Sequence, residues 1–154
     1  MKNALMRLAY GVYGLKWRLT RPVVLGVRIM LLQDKQILLV RHSYQKHWYF
    51  PGGAVNRGET LTAAAMREAN EEAGAVFPVE PKLLGIYLNL YEGKSDHIAV
   101  FYSETFTLQK PTDRWEIAER GTFRLSALPA DLSPGCLRRI QDYQAGNGPY
   151  MGKW

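Results

Sequence analysis

Residues 53–75 read GAVNRGETLTAAAMREANEEAGA, and most of what the chain can be is decided there. The Thr60 hydroxyl suits a helix N-cap, three alanines follow at 63–65, and Gly74 stands where a left-handed residue closes a helix, so the stretch predicts a helix over 60–73. Within it Glu68, Glu71 and Glu72 fall at i, i+3 and i+4, which puts three carboxylates on one face. Met66, Ala69 and Ala73 fall on another face, and two alanines there let the helix backbone come close to a sheet. Three like charges on adjacent turns cost a few tenths of a kcal/mol per pair when exposed and more when they face a cleft. Arg67 lies about a quarter turn off the carboxylate face and is a weak counter-charge. A divalent cation is a better one, because magnesium prefers hard oxygen ligands and completes its shell with water and substrate phosphate. A solvated acidic helix face explains the same three residues equally well, so the helix alone leaves both readings open.

The residues upstream favour the cation. Gly52, Gly53 and Gly58 permit close backbone approaches, Glu59 follows immediately, and a glycine loop running into a helix N-terminus places backbone groups near phosphate or metal.

Working outward, the rest of the chain reads mostly as strands. Val23 to Leu32 is rich in branched residues and predicts a buried strand; after a polar turn, Ile37 to Val40 predicts its hairpin partner. Trp48-Tyr49-Phe50 predicts a short aromatic strand ended by Pro51. Lys82 to Leu90, His97 to Leu108 and Thr122 to Leu125 predict further strands. Ser133-Pro134 opens a last helix, with Ser133 as N-cap and Pro134 at its first position. Strands outnumber helices, and the helices come singly, which suggests a mixed sheet with helices packed on it. Residues 1–21 carry Leu5, Leu8, Val12 and Leu15 at helical spacing among basic and aromatic residues and read as a basic amphipathic N-terminal arm. Residues 22–145 read as one domain, and the glycine-rich 146–154 as an irregular tail.

Composition narrows the class. The chain has 154 residues, 47% hydrophobic and 22% charged, with a formal charge of +6 and one cysteine. That length suits one domain with a real core. The apolar runs are too short to span a membrane, and a single cysteine, Cys136, excludes an internal disulfide, so the cytoplasm is the expected address. The positive charge suits steering of small anions; the absence of Lys/Arg runs speaks against nucleic acid as the main partner.

The 53–75 stretch also resembles the signature of the Nudix hydrolases: glycine, five residues, glutamate, seven residues, Arg-Glu, an aliphatic, any residue, Glu-Glu, any residue, glycine, an aliphatic. Gly53, Glu59, Arg67, Glu68, Glu71, Glu72 and Gly74 fill all seven fixed positions, a coincidence expected on the order of once in a million chains of this length. Ala69 and Ala75 stand at the two aliphatic positions, where larger residues are more usual. Trp48 to Gly53 is similar to the strand and turn that precede the signature in that family, and Glu116 to Glu119 with Phe123 to a later segment of it.

The resemblance implies an α/β/α sandwich, an α+β fold with a central mixed sheet, and a Mg²⁺- or Mn²⁺-dependent hydrolase of a nucleoside diphosphate linked to another moiety. By position it implies Glu68, Glu71 and Glu72 as metal ligands with a carbonyl of Gly52 or Gly53. It gives Arg67 and Glu59 supporting roles and makes Glu116 and Glu119 candidates for a loop general base. Arg41, Trp48 and Tyr91 are candidate substrate contacts, and His42, Lys46, Lys94 and His97 lie near strand ends where phosphates could be met. Homodimers are frequent in the family. The alternatives carried forward are a silent nucleotide-binding regulatory domain and a pyrophosphohydrolase of RNA 5′ ends.

Overall fold

The strand predicted from Val23 is the axis of the molecule. In a computed structural model, which describes residues 22–91, 94–112 and 115–154, β1 (Val23–Gln33) lies in a six-stranded sheet with β2 (Gln36–His42), β4 (Lys82–Tyr91), β5 (Lys94–Ser103), β7 (Ile117–Arg124) and β8 (Tyr150–Lys153). The order is β7-β2-β1-β5-β4-β8. Pairs β1/β5 and β4/β8 are parallel and the others antiparallel, so the sheet is mixed. A second, two-stranded sheet joins β3 (Ala75–Val76) to β6 (Thr107–Leu108). Two helices complete the described chain, α1 (Leu61–Ala73) and α2 (Pro134–Ala145).

The sheet is buried on both faces, and strand alternation shows how. Val27, Ile29 and Leu31 of β1, Leu38 and Val40 of β2, and Ala99 and Phe101 of β5 pack with Ala64, Ala65, Ala69 and Ala73 of α1. Their neighbours one residue along, Met30, Leu32, Ile37, Leu39, Ile98 and Val100, pack with Cys136 and Ile140 of α2. Successive strand side chains point to opposite faces, so near-continuous apolar runs supply two cores at once. This is the α/β/α sandwich.

One irregularity positions the site. β1 stays in register with β5 from Val23 to Leu31 but pairs with β2 only at Leu31, Leu32 and Gln33. Beyond Leu31 the two strands part, and residues 49–55 enter between them. Tyr49 exchanges both backbone hydrogen bonds with Val40, while the amides of Ile29 and Val27 donate to the carbonyls of Pro51 and Gly53, each at 2.9 Å. The glycine loop is thus held as a strand-like insert at the sheet's centre.

Several expectations need correction. Trp48-Tyr49-Phe50 makes isolated bridges to Val40 and Leu132 and no strand, because it is shared between two partners. Ser133 precedes α2 but its hydroxyl does not cap it; its backbone N–H instead donates to the Trp48 carbonyl at 3.0 Å. The span His97–Leu108 breaks after Ser103, whose hydroxyl turns back to Thr105. The tail is not irregular throughout: Tyr150–Lys153 pairs with the outer edge of β4, and the Trp154 indole covers Gly135, where a Cβ would lie 2.2 Å from its Nε1. Composition signals loops through glycine but says nothing of an open sheet edge waiting for a partner. The expected N-terminal arm lies outside the described residues.

Candidate active site

Helix α1 starts and stops as its sequence predicts. The Thr60 hydroxyl accepts from the Ala63 N–H at 3.1 Å, and Gly74 adopts φ 75°. Buried alanines draw the helix onto the sheet, and Glu68 and Glu72 on it line a cavity.

Arg67 proves to be the hub of the carboxylates and no weak counter-charge. Its Nε and Nη2 donate to the two Glu59 oxygens at 2.8 and 3.0 Å, Nη2 also to the Ala54 carbonyl at 3.0 Å, and Nη1 to Glu68 at 2.7 Å and Glu71 at 3.2 Å. The quarter-turn offset is overcome by the reach of a long side chain whose fork matches a carboxylate in two bonds. This arrangement ties the loop to the helix. It holds Glu59 down at about 2, chiefly through the Arg67 hydrogen bond, and raises Arg67 well above its ordinary value.

The three helix carboxylates do not behave alike. Glu71 stays 44% exposed against Arg67. Glu68 is raised above the usual carboxylate range, first by burial, with Arg67 opposing and the charges of Glu72 and Glu71 adding. It lies against Gly53, where a Cβ would come 2.6 Å from its Oε1. Glu72 is buried: its Oε2 accepts from the Gly52 N–H and its Oε1 meets His42 Nε2, each at 2.9 Å. Its carbonyl accepts from Arg120 Nε.

Glu68 and Glu72 line a cavity of about 440 Å³ with Gly52, Gly53, His42 and Glu116; Lys94 and Asp96 of β5 line it too. The volume is that of a small-molecule site. Asp96 is raised, first by burial, and Lys94 Nζ lies 3.8 Å from its carboxylate. A divalent cation fits this donor set: hard oxygens converge, burial disfavours the bare charge of Glu68, and the glycine at 53 lets its carboxylate lie against the loop.

Other predicted residues lie elsewhere. Arg41 is held by Asp131 at 2.8 Å, approaches Glu119 at 3.8 Å and stacks over Trp48 at 4.6 Å, and none of these four lines the cavity. Trp48 is buried against Phe123. Tyr91 ends β4, and its side chain lies outside those described. Of the two loop glutamates, only Glu116 reaches the cavity. Asp96, which sequence reasoning passed over, does so because β5 runs parallel beside β1, a pairing no local pattern announces.

Residues 22–142 match the NUDIX domain family. The chain belongs to the Nudix family. A putative 8-oxo-dGTP diphosphatase from Bacillus subtilis is 31% identical over 118 residues, 77% of each chain. An ADP-ribose pyrophosphatase from Methanocaldococcus jannaschii is 35% identical over 75 residues, 47% of this chain and 44% of that one. Among solved structures, a Nudix hydrolase from Nitrosomonas europaea superposes with a TM-score of 0.71 at 24% identity, over 80% of this chain and 90% of its own. This Nudix protein is accordingly a hydrolase of pyrophosphate bonds. Among the described residues no helix is long and apolar enough to cross a membrane.

Proposed function

We propose that the protein is a divalent-metal-dependent pyrophosphohydrolase of small nucleoside diphosphate derivatives, the class to which 8-oxo-dGTP and ADP-ribose in the relatives' names both belong. The observation that carries this reading is the convergence of Glu68 and Glu72, braced by Arg67 and the Gly52 N–H, on one wall of a cavity of nucleotide size. Glu68, Glu72 and a carbonyl of the Gly52-Gly53 turn would hold the cation. A cation held there would neutralise the pyrophosphate and acidify the attacking water, and the net charge of +6 favours arrival of the anion.

The chain's own groups do the rest. Arg67 and Glu59 lock loop to helix, so the donors are positioned before substrate arrives. Glu68 keeps Oε1 on Arg67, which fixes its carboxylate at the cavity wall. Glu116, the loop glutamate that lines the same cavity, would accept the proton of the attacking water. Lys94 stands at the cavity's β5 wall to meet a phosphate oxygen.

The test is phosphate release from ADP-ribose, dinucleoside polyphosphates, nucleoside triphosphates including an oxidised guanine nucleotide, NADH and capped RNA, with Mg²⁺ or Mn²⁺. Metal-dependent turnover that is lost in Glu72→Gln supports the reading. No turnover combined with tight metal-dependent binding of one compound would replace it with the regulatory-domain reading.

A further inference from the structure

Asp96 is an acidic residue of the cavity that lies outside the carboxylate signature. It stands near the start of β5, its side chain is 18% exposed, and it lines the cavity. Among the described residues no N–H or O–H group donates to its carboxylate; Lys94 Nζ, at 3.8 Å, is an ion-pair partner too distant to be a hydrogen-bond donor. A carboxylate this far withdrawn from water ordinarily accepts hydrogen bonds, because burial without a donor is costly.

Gly26 forms the floor beside it. Asp96 pairs in register with Val24, and Gly26 follows two residues later on the same face of β1. Gly26 is not among the glycines with a left-handed backbone, so its conformation does not call for glycine. A Cβ there would meet only the Gly53 carbonyl oxygen at 3.3 Å and Asp96 Oδ1 at 3.5 Å. The missing side chain thus leaves an opening with a candidate cation donor on one side and an open carboxylate on the other.

A nucleoside diphosphate has the chemistry to bridge that opening. The phosphate beside the cation is joined through one methylene to a ribose, whose 2′ and 3′ hydroxyls are adjacent donors. A carboxylate can accept both, as acidic residues do with ribose in dinucleotide sites. The base lies beyond the sugar, farther from the Gly53 carbonyl.

We propose that Asp96 is a specificity-determining residue: its carboxylate accepts from the hydroxyls of a ribose laid over Gly26, so the protein prefers ribonucleoside diphosphate derivatives to their deoxy counterparts. The inference rests on the proposed pyrophosphohydrolase reading and adds the sugar its substrates carry.

The experiment measures binding by calorimetry, with full-length protein and Mg²⁺ or Mn²⁺. The probes are α,β-methylene ADP, its 2′,3′-dideoxy form and α,β-methylene UDP, whose methylene bridge resists hydrolysis. Wild type should bind the diol probes roughly ten- to a hundredfold more tightly than the dideoxy probe, the range for hydrogen bonds to a charged group. Asp96→Ala should lose that factor for both diol probes and leave dideoxy affinity unchanged, which isolates the contact between residue and hydroxyls. Should Asp96→Ala fail to fold, the wild-type comparison still decides, and Asp96→Asn, which keeps the shape and one acceptor oxygen, should show a smaller loss. Metal-dependent binding with no preference for the diol overturns the inference and leaves the hydrolase reading intact. So does an Asp96→Ala penalty that persists with the dideoxy probe and differs between adenine and uracil, which would give the contact to the base. No binding of any probe overturns the inference, and the hydrolase reading with it only if the substrate panel also shows no turnover.

Discussion

Replacing Gly53 by alanine separates the site from the fold. The new Cβ would stand 2.6 Å from Glu68 Oε1 and 2.8 Å from its carboxyl carbon, with no backbone atom among its three nearest neighbours. Ordinary contact near 3.4 Å requires the carboxylate to retreat by about 0.8 Å. The retreat loosens the Arg67 Nη1 bond to Glu68, at 2.7 Å, so the fold loses about 1 kcal/mol, a fall of roughly 2–4 °C in Tm for a chain of this size. Activity suffers more. A displacement near 1 Å of a positioned group costs about a hundredfold in rate, about 2.7 kcal/mol in the transition state. Gly52→Ala is the contrast: there a Cβ would lie 2.1 Å from the Val27 carbonyl oxygen and 2.8 Å from Arg28 Cα, at φ 149°, and relief requires moving the central strand. That variant loses on the order of 3 kcal/mol or more of stability. The assay pairs thermal melts with kcat/KM on whichever nucleotide the panel selects. Gly53→Ala with wild-type kcat/KM, or with a Tm loss equal to that of Gly52→Ala, would refute the argument that residue 53 is small to seat the Glu68 carboxylate.

Other outcomes follow from the same geometry. Glu59 is held at about 2 against the usual 4.5, so its contribution to stability is complete above pH 4.5 and drains as pH falls toward 2. Urea midpoints of Glu59→Gln should be lower than wild type at pH 7 and converge with it by pH 2–3. Arg67→Lys keeps the charge but cannot span Glu59, Glu68 and Glu71 at once; kcat should fall roughly ten- to a hundredfold with KM little changed, measured by steady-state kinetics. Ala69→Leu forces three additional heavy atoms between α1 and the sheet at a fully buried position, and should cost about 1–3 kcal/mol by denaturant titration.

The sequence made α1 legible because every local signal agreed: a capping threonine, alanines on the packing face, a left-handed glycine at the end. It made the carboxylates legible because their spacing is a property of one helix. What stayed hidden depends on partners distant in the chain. Arg67 was misjudged because angular position on a helix ignores the length of the side chain. Arg41 and Trp48 looked like pocket residues from their place beside the loop, yet Asp131 and Phe123 claim them. His42 stood out only as a strand-end cation; its pairing with Glu72 spans thirty positions and follows from the antiparallel run of β2 beside the inserted loop. The tail's strand was invisible for the same reason, since an edge is completed by whatever segment reaches it.

The parting of β1 from β2 has a consequence for how this protein can change. His42, the glycine insert, Glu68 and Glu72 come to the cavity on one continuous stretch of chain whose insert is laced to β1, and Glu116 joins them from the residue before β7. Lys94 and Asp96 reach the same cavity from the start of β5. Substitutions at the start of β5 would change the charge of the cavity lining while leaving that stretch intact. Such a division lets a lineage diversify its diet without rebuilding its cutting edge.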